Sequence, residues 1–282
     1  MRFFTLFFLM PFALFAGSFS APLLSVDGED ATVKIKMTNK GVSGFVVRHF
    51  TKDNHAILAN AVVAGYDKES GIAHLKLSEY TGLRQTSLPS GRWSPEVGDE
   101  AVLGFAYSRA LLIAPTDEIY HSITSRIPSL EWTHPDIFAT FLSYRGHPTP
   151  LKEDINDFCT LNSAGLLYIY LQESLFTMDC KSLTLLQITP AQMDRGEEKL
   201  PFYYRFETIN AAWFGEGSDH LESYDPYYFR LIAENNPKSV LLVNYAKKNS
   251  IPGQESSSWF DGLFDGFDNI EVGLEAEEEE EK

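Results

Sequence analysis

The sequence predicts an α+β protein: a small antiparallel β-barrel-like domain over residues 21–115, then an α+β module over 116–248 built on a three-stranded meander. Three observations carry this reading. Short runs of period-two alternation recur at roughly ten-residue intervals up to Pro115, the spacing of small barrels and sandwiches. Helix-start signals with a longer apolar period then follow, and after them come three apolar runs separated by tight turns.

In the first domain, Ala31–Met37 alternates polar and apolar residues, with Val33, Ile35 and Met37 on one face. Asn39-Lys-Gly41 turns the chain into Gly44–Phe50, which is rich in β-branched and aromatic side chains. Lys52-Asp-Asn54 breaks that strand, and Ala56–Ala64 forms the next. Asp67-Lys-Glu-Ser-Gly71 turns it round into the alternating Ile72–Leu77. Thr81–Pro95 has two prolines and little periodicity, so it reads as a long connection. Val97–Leu103 is a turn leading into a strand, and Ala110–Pro115 is expected to close the barrel set.

The second module opens with helices. Thr116 or Asp117 caps the first, with acids in its opening turn. Thr133 or His134 precedes Pro135 at a first helical position, and Ile137, Phe138, Phe141 and Leu142 form its apolar face. Thr149-Pro150 repeats the device, placing Leu151, Ile155, Phe158 and Cys159 on one side of a third helix. Strands are expected at Gly165–Leu171, Leu175–Cys180 and Leu183–Ile188, the first two joined by a short hairpin turn at Gln172-Glu-Ser174. Residues 201–245 hold eleven aromatic side chains other than histidine, among them Phe202, Tyr204, Trp213, Phe214, Tyr224 and Tyr228. Packing against the meander explains them better than a carbohydrate- or peptide-binding platform, because aromatic burial dominates core energetics. A further helix starts near Asp225.

The two ends differ from the body. Met1-Arg2 is followed by an apolar run, Phe3–Ala16, and then by small residues. That layout is a secretory signal peptide over residues 1–20, with cleavage favoured after Ser18 or Ser20. It is shorter than the ~20 apolar residues a spanning helix needs, so the mature chain is expected to have no membrane-spanning segment. Export leaves about 260 residues, enough for two modest domains. Of the formal charge of −16, residues 249–282 contribute −10, from eleven acids and one base. This stretch, with Pro252-Gly253, Ser256–Ser258 and Glu277–Glu281, reads as an acidic flexible tail. Acidity of this kind excludes nucleic acid as a partner, since phosphate contacts need clustered Lys and Arg. In an oxidising compartment the two cysteines, Cys159 and Cys180, are expected to form a disulfide, stabilising by ~3 kcal/mol in the chain-entropy view.

No local motif for catalysis or metal binding occurs: no His-Glu-x-x-His, no Gly-x-Ser-x-Gly, no phosphate loop. The seven histidines read as packing or surface residues, and neither an enzyme, a cofactor nor a metal is expected. What remains is binding. Gly41–Val47, Val97–Leu103, Arg109–Pro115, Trp132–Phe138 and Pro148-Thr-Pro150 resemble the N-terminal domain of the plasminogen-binding protein PgbA family, over roughly Pro22 to Ile232. The resemblance implies an exported, surface-associated protein of the bacterial envelope that captures host plasminogen, a virulence-related role. It also implies capture through a C-terminal lysine, the place Lys282 occupies here, although a short glutamate-rich tail stands where the family carries a long lysine-bearing extension. Lys282 presents an ammonium and, as a last residue, a carboxylate together. Lys247 and Lys248 lack the carboxylate. The alternative is a periplasmic scaffold whose folded body binds another envelope protein.

Overall fold

The computed structural model describes residues 18–80, 82 and 93–249. The expected leader up to residue 17, most of the Thr81–Pro95 connection and the acidic tail from residue 250 lie outside the described residues.

Six strands form a closed antiparallel barrel in the order β1-β2-β5-β4-β3-β6: β1 (Phe19–Asp27), β2 (Asp30–Lys34), β3 (Ser43–His49), β4 (His55–Asp67), β5 (Ile72–Glu79) and β6 (Glu100–Leu103). Strand alternation puts Val33, Val46, Val63 and Leu75 inside. Ala31, Ala59, Ala61, Ala73 and Ala101 share the interior, because small barrels leave little room within. Gly44 lets β3 press against β6: a Cβ there would fall 2.0 Å from the Val102 carbonyl oxygen. The expected Ala31–Met37 strand stops at Lys34, and Met37 is exposed. The β4–β5 turn is the one the sequence indicates, with Asp67 accepting from the Glu69 amide and the Ser70 hydroxyl.

The second sheet has the order β11-β10-β9-β7-β8. Its antiparallel half is the expected meander: β9 (Leu166–Leu171), β10 (Ser174–Asp179) and β11 (Leu185–Pro190). Gln172 and Glu173 make the tight turn, both at positive φ. The module is not purely antiparallel. β7 (Arg109–Ile113), expected to close the barrel, lies parallel to β9 here, and a short β8 (Glu131–Thr133) lies parallel to β7. The physical reason is in β7's composition. Ala110, Leu111, Leu112 and Ile113 are all buried, as in a strand covered on both faces. A barrel strand facing water on one side alternates instead.

The two faces of this sheet belong to two cores. Leu111, Ile113, Leu167 and Ile169 pack on the far side against Phe138 and Leu142 of α2 (Pro135–Arg145), Ile155 and Phe158 of α3 (Lys152–Asn162), and Phe229 and Ile232 of α4 (Tyr224–Asn235). Leu242 of α5 (Val240–Asn249), a helix the sequence reading did not specify, joins them. Ala110, Leu112, Tyr168 and Tyr170 instead share one continuous apolar cluster with the barrel interior and with Ile119 and Ile123 of α1 (Asp117–Arg126). The barrel and the sheet therefore share a core. α1 and α2 begin as expected, on Thr116 and on His134-Pro135. α3 begins later than expected: Leu151 is its cap, and Thr149 is held in the preceding loop by bonds to Gly217 and Asp219. Cys159 of α3 and Cys180 at the end of β10 are disulfide-bonded.

One buried carboxylate joins barrel to sheet. Asp179, fully buried, accepts at one oxygen from the Ser43 amide (3.0 Å), the Ser43 hydroxyl (2.8 Å) and the Tyr107 hydroxyl (2.8 Å). Its other oxygen takes the Lys181 and Ser182 amides, at 3.1 and 2.7 Å. Beside it, the Ser182 hydroxyl donates to the Gly41 carbonyl at 2.7 Å, and Gly41, at φ +91°, has no room for a Cβ against Thr184. Burial, followed by the neighbouring Asp179 carboxylate, pushes the Tyr107 hydroxyl far above its usual range, so it stays a donor. Asp179→Ala strands several buried donors at ~1–3 kcal/mol each and should cost at least about 3 kcal/mol, whereas Tyr107→Phe should cost about 1 kcal/mol. Urea unfolding of both variants checks this order, and an Asp179→Ala protein as stable as the parent would refute it.

A second polar clamp holds the segment before β6. Arg48 of β3 donates Nε and Nη2 to the two oxygens of Asp99, both at 2.8 Å, and Asp99 also takes the Glu96 amide at 2.7 Å. Burial pushes the Asp99 carboxyl up, but the Arg48 and Glu96 bonds outweigh it and hold the group below the ordinary carboxylate range. A carboxyl that titrates lower folded than unfolded stabilises fully above the unfolded pKa, and loses that contribution as pH falls through the folded one. Asp99→Asn should therefore cost about 2 kcal/mol at neutral pH. The gap to the parent should close on acidification below the ordinary carboxylate range. A gap that does not change with pH in denaturant titrations would contradict the assignment.

Candidate functional site

In sheets with parallel strands, ligands favour the carboxyl ends of adjacent strands whose following helices leave to opposite faces. β7 and β8 meet that description: α1 packs on the barrel side and α2 on the far side. At these strand ends stand Asp117, Tyr120 and His121 of α1, His134 and Asp136 at the start of α2, and Tyr203 and Arg205 of a crossing loop.

Most polar groups there are engaged by the protein itself. The Thr116 hydroxyl caps α1 by accepting from the Ile119 amide, and His134 Nδ1 caps α2 by accepting from the Asp136 amide at 3.1 Å. Burial pushes the His134 pKa down, which keeps that nitrogen an acceptor. Burial raises the Asp136 carboxyl, but Arg205, through its amide at 2.9 Å and Nε at 2.7 Å, brings it below its usual range. Asp117 pairs with His121 at 2.9 Å. Burial and Asp117 together push the Tyr203 hydroxyl up to about 12. The loop lies across the end of β7, with the Lys199 amide on Pro115 O and the Tyr203 amide on Ala114 O, at 2.8 and 2.7 Å. The Lys199 ammonium is spent on the carbonyls of Tyr204 and Phe206. Both helix N-termini, where an anion would sit, are occupied by Asp117 and Asp136. The strand-end crevice works as a lock on the loop.

Other titratable clusters have the same character. Fully buried Asp154 accepts from the Leu151 amide, from Arg145 and from His147 Nδ1, fixing the start of α3. His49 pairs with Glu100 at 2.7 Å. Among the described residues, no group of three His, Cys, Asp or Glu side chains is placed to hold a metal ion. No described helix is long and apolar enough to cross a membrane.

The sequence-predicted site residues are placed unevenly. Cys159 and Cys180 meet. Lys282 lies outside the described residues, and Lys247 and Lys248 fall in α5. Within the aromatic-rich segment, Phe202, Tyr204, Tyr224, Tyr228 and Phe229 are core residues, as expected. Trp213 and Phe214 are not: they are 100% and 88% exposed, and Tyr144 at the end of α2 is 92% exposed. Only the flanking glycines and acids set that pair apart in the sequence.

The body is a closed barrel fused to a helix-covered mixed sheet, and the polar groups named above are held in internal contacts. Residues 18–232 match the family described as plasminogen-binding protein PgbA, N-terminal, and the chain belongs to that family. The chain is 28% identical over 207 residues to the plasminogen-binding protein PgbA of Helicobacter pylori strain J99, covering 72% of this chain and 44% of that protein. The corresponding protein of strain 26695 is 28% identical over 205 residues, covering 71% and 44%. The chain thus spans less than half the length of the curated relatives it matches.

Proposed function

We propose that this protein is an exported binding protein, held at the bacterial surface, that captures plasminogen through Lys282. Membership in the PgbA N-terminal family over residues 18–232 is the observation that carries the reading, since the relatives are named for plasminogen binding. On this reading the folded body is a carrier, and its work is not catalysis.

The chemistry of capture rests on the terminal residue. A lysine-binding site on a plasma protein takes an ammonium at one end, a carboxylate at the other, and the methylenes between them on aromatic rings. In a chain that ends at Lys282, that residue satisfies both ends at once. Five adjacent glutamates, Glu277–Glu281, precede it, and like charges side by side disfavour a packed core. Export is supported by the leader-like residues 1–20 and fits the barrel: cleavage after Ser18 leaves Phe19 and Ser20 to pair with Leu103 and Val102 of β6, whereas cleavage after Ser20 removes both pairs.

Binding of the purified protein to immobilised plasminogen, before and after carboxypeptidase B and with intact mass confirming loss of Lys282, tests the proposal. Affinity should fall at least tenfold on removal, and a lysine analogue should compete with the untreated protein. Unchanged binding would move the contact from the tail to the body.

A further inference from the structure

The most exposed aromatic side chains of the described body gather in one place. Trp213 and Phe214 stand at the tip of the loop between Arg205 and Ser223, and Tyr144 lies two residues before Gly146, on which that loop rests. The loop root is fixed: the Ala212 amide donates to Gly146 O at 2.8 Å, and the Asn210 amide to Ser143 Oγ at 3.0 Å. Gly146 is needed there, since a Cβ on it would meet the Ala212 Cβ at 2.7 Å. Beyond the tip, the Thr149 amide donates to Gly217 O at 3.2 Å and the Thr149 hydroxyl to Asp219 O at 2.6 Å. A loop pinned on both sides of two solvent-facing rings holds them out by construction. Leaving large apolar groups in water is unfavourable unless something covers them.

We infer that the Trp213–Phe214 tip is a shallow membrane-interface anchor, seated among zwitterionic headgroups that present an ammonium. Size and charge favour this occupant over a protein. The two rings offer roughly 400 Å², about half of the ~800 Å² each partner gives to a stable protein interface. A convex tip of that size suits the interfacial layer of a bilayer, where Trp and other amphipathic rings collect. The same loop carries the exposed carboxylates of Glu207, Glu216, Asp219 and Glu222 beside the exposed His220, with no Lys or Arg between residues 206 and 229. Arg205 at the loop's start is committed to Asp136, and Arg145 beside Gly146 to Asp154 and Asp157. Such a rim repels anionic lipid and attracts the ammonium of ethanolamine or choline headgroups. This contact is independent of Lys282 and of plasminogen.

The test is partition of the exported full-length protein onto phosphatidylethanolamine–phosphatidylcholine vesicles, without plasminogen. Trp213→Ser/Phe214→Ser, at positions that support no core contact, should lower the partition coefficient at least tenfold with near-ultraviolet circular dichroism unchanged. Brominated lipid should quench a tryptophan component that vanishes in Trp213→Leu, which keeps an apolar tip and its binding. Adding phosphatidylglycerol should weaken binding several-fold, with salt restoring it. Equal partition of the double variant, or no quenching assignable to Trp213, would overturn the anchor. So would a variant that loses self-association or protein binding and not lipid binding, since the tip would then be a protein contact.

Discussion

A carboxylate buried without a charged partner needs a full set of hydrogen-bond donors, and Asp179 obtains them only if the barrel and the second sheet meet. Ser43 is the first residue of β3, Tyr107 comes from the connection between the sheets, and the Lys181 and Ser182 amides from the turn after β10. Separated, each body would expose or strand part of that set. The arrangement fixes orientation as well as contact, since five directed bonds converge on two oxygens. It ties together the parts on either side of the boundary expected near Pro115.

The apolar side of the junction points the same way. The even-numbered residues of β7 and β9 enter the barrel's cluster, while their odd-numbered neighbours enter the helical one. The centre of the sheet, β7 with β9, is thus the wall between two cores. Its position determines where α1 and α2 leave the sheet, and so where the crossing loop, the strand-end lock and the Trp213 tip are found. The Trp213 tip follows from this packing, because the loop that presents it is rooted in it.

Much of the fold was legible from local pattern. The barrel strands alternate, the Asp67–Gly71 turn has its side-chain acceptor in place, and Thr116 and His134-Pro135 cap the helices they mark. The misses have physical causes. β7 reads as an unbroken apolar run, which says that both faces are buried without saying by what. β8 has three residues, too few for any period to emerge. β1 begins beside the leader-like run and contains Pro22, so its pairing with β6 carried no local sign. Asp179 looks like any turn aspartate until residues 136 positions apart are brought together. Trp213 and Phe214 have the composition of the core aromatics around them, and only a folded loop root distinguishes a ring held out from a ring held in. A contact made by Lys282 depends on the charge of a single residue, which the fold neither builds nor reveals.

Joined in this way, barrel and sheet should unfold as one cooperative body. Hydrogen exchange across a urea series, read separately at the amides of β3–β4 and of β9–β10, tests it most directly. Both sets should lose their slowest protection in one shared opening, with the same free energy and the same denaturant dependence. Two separate openings, with the barrel released while β9 and β10 stay protected, would contradict it.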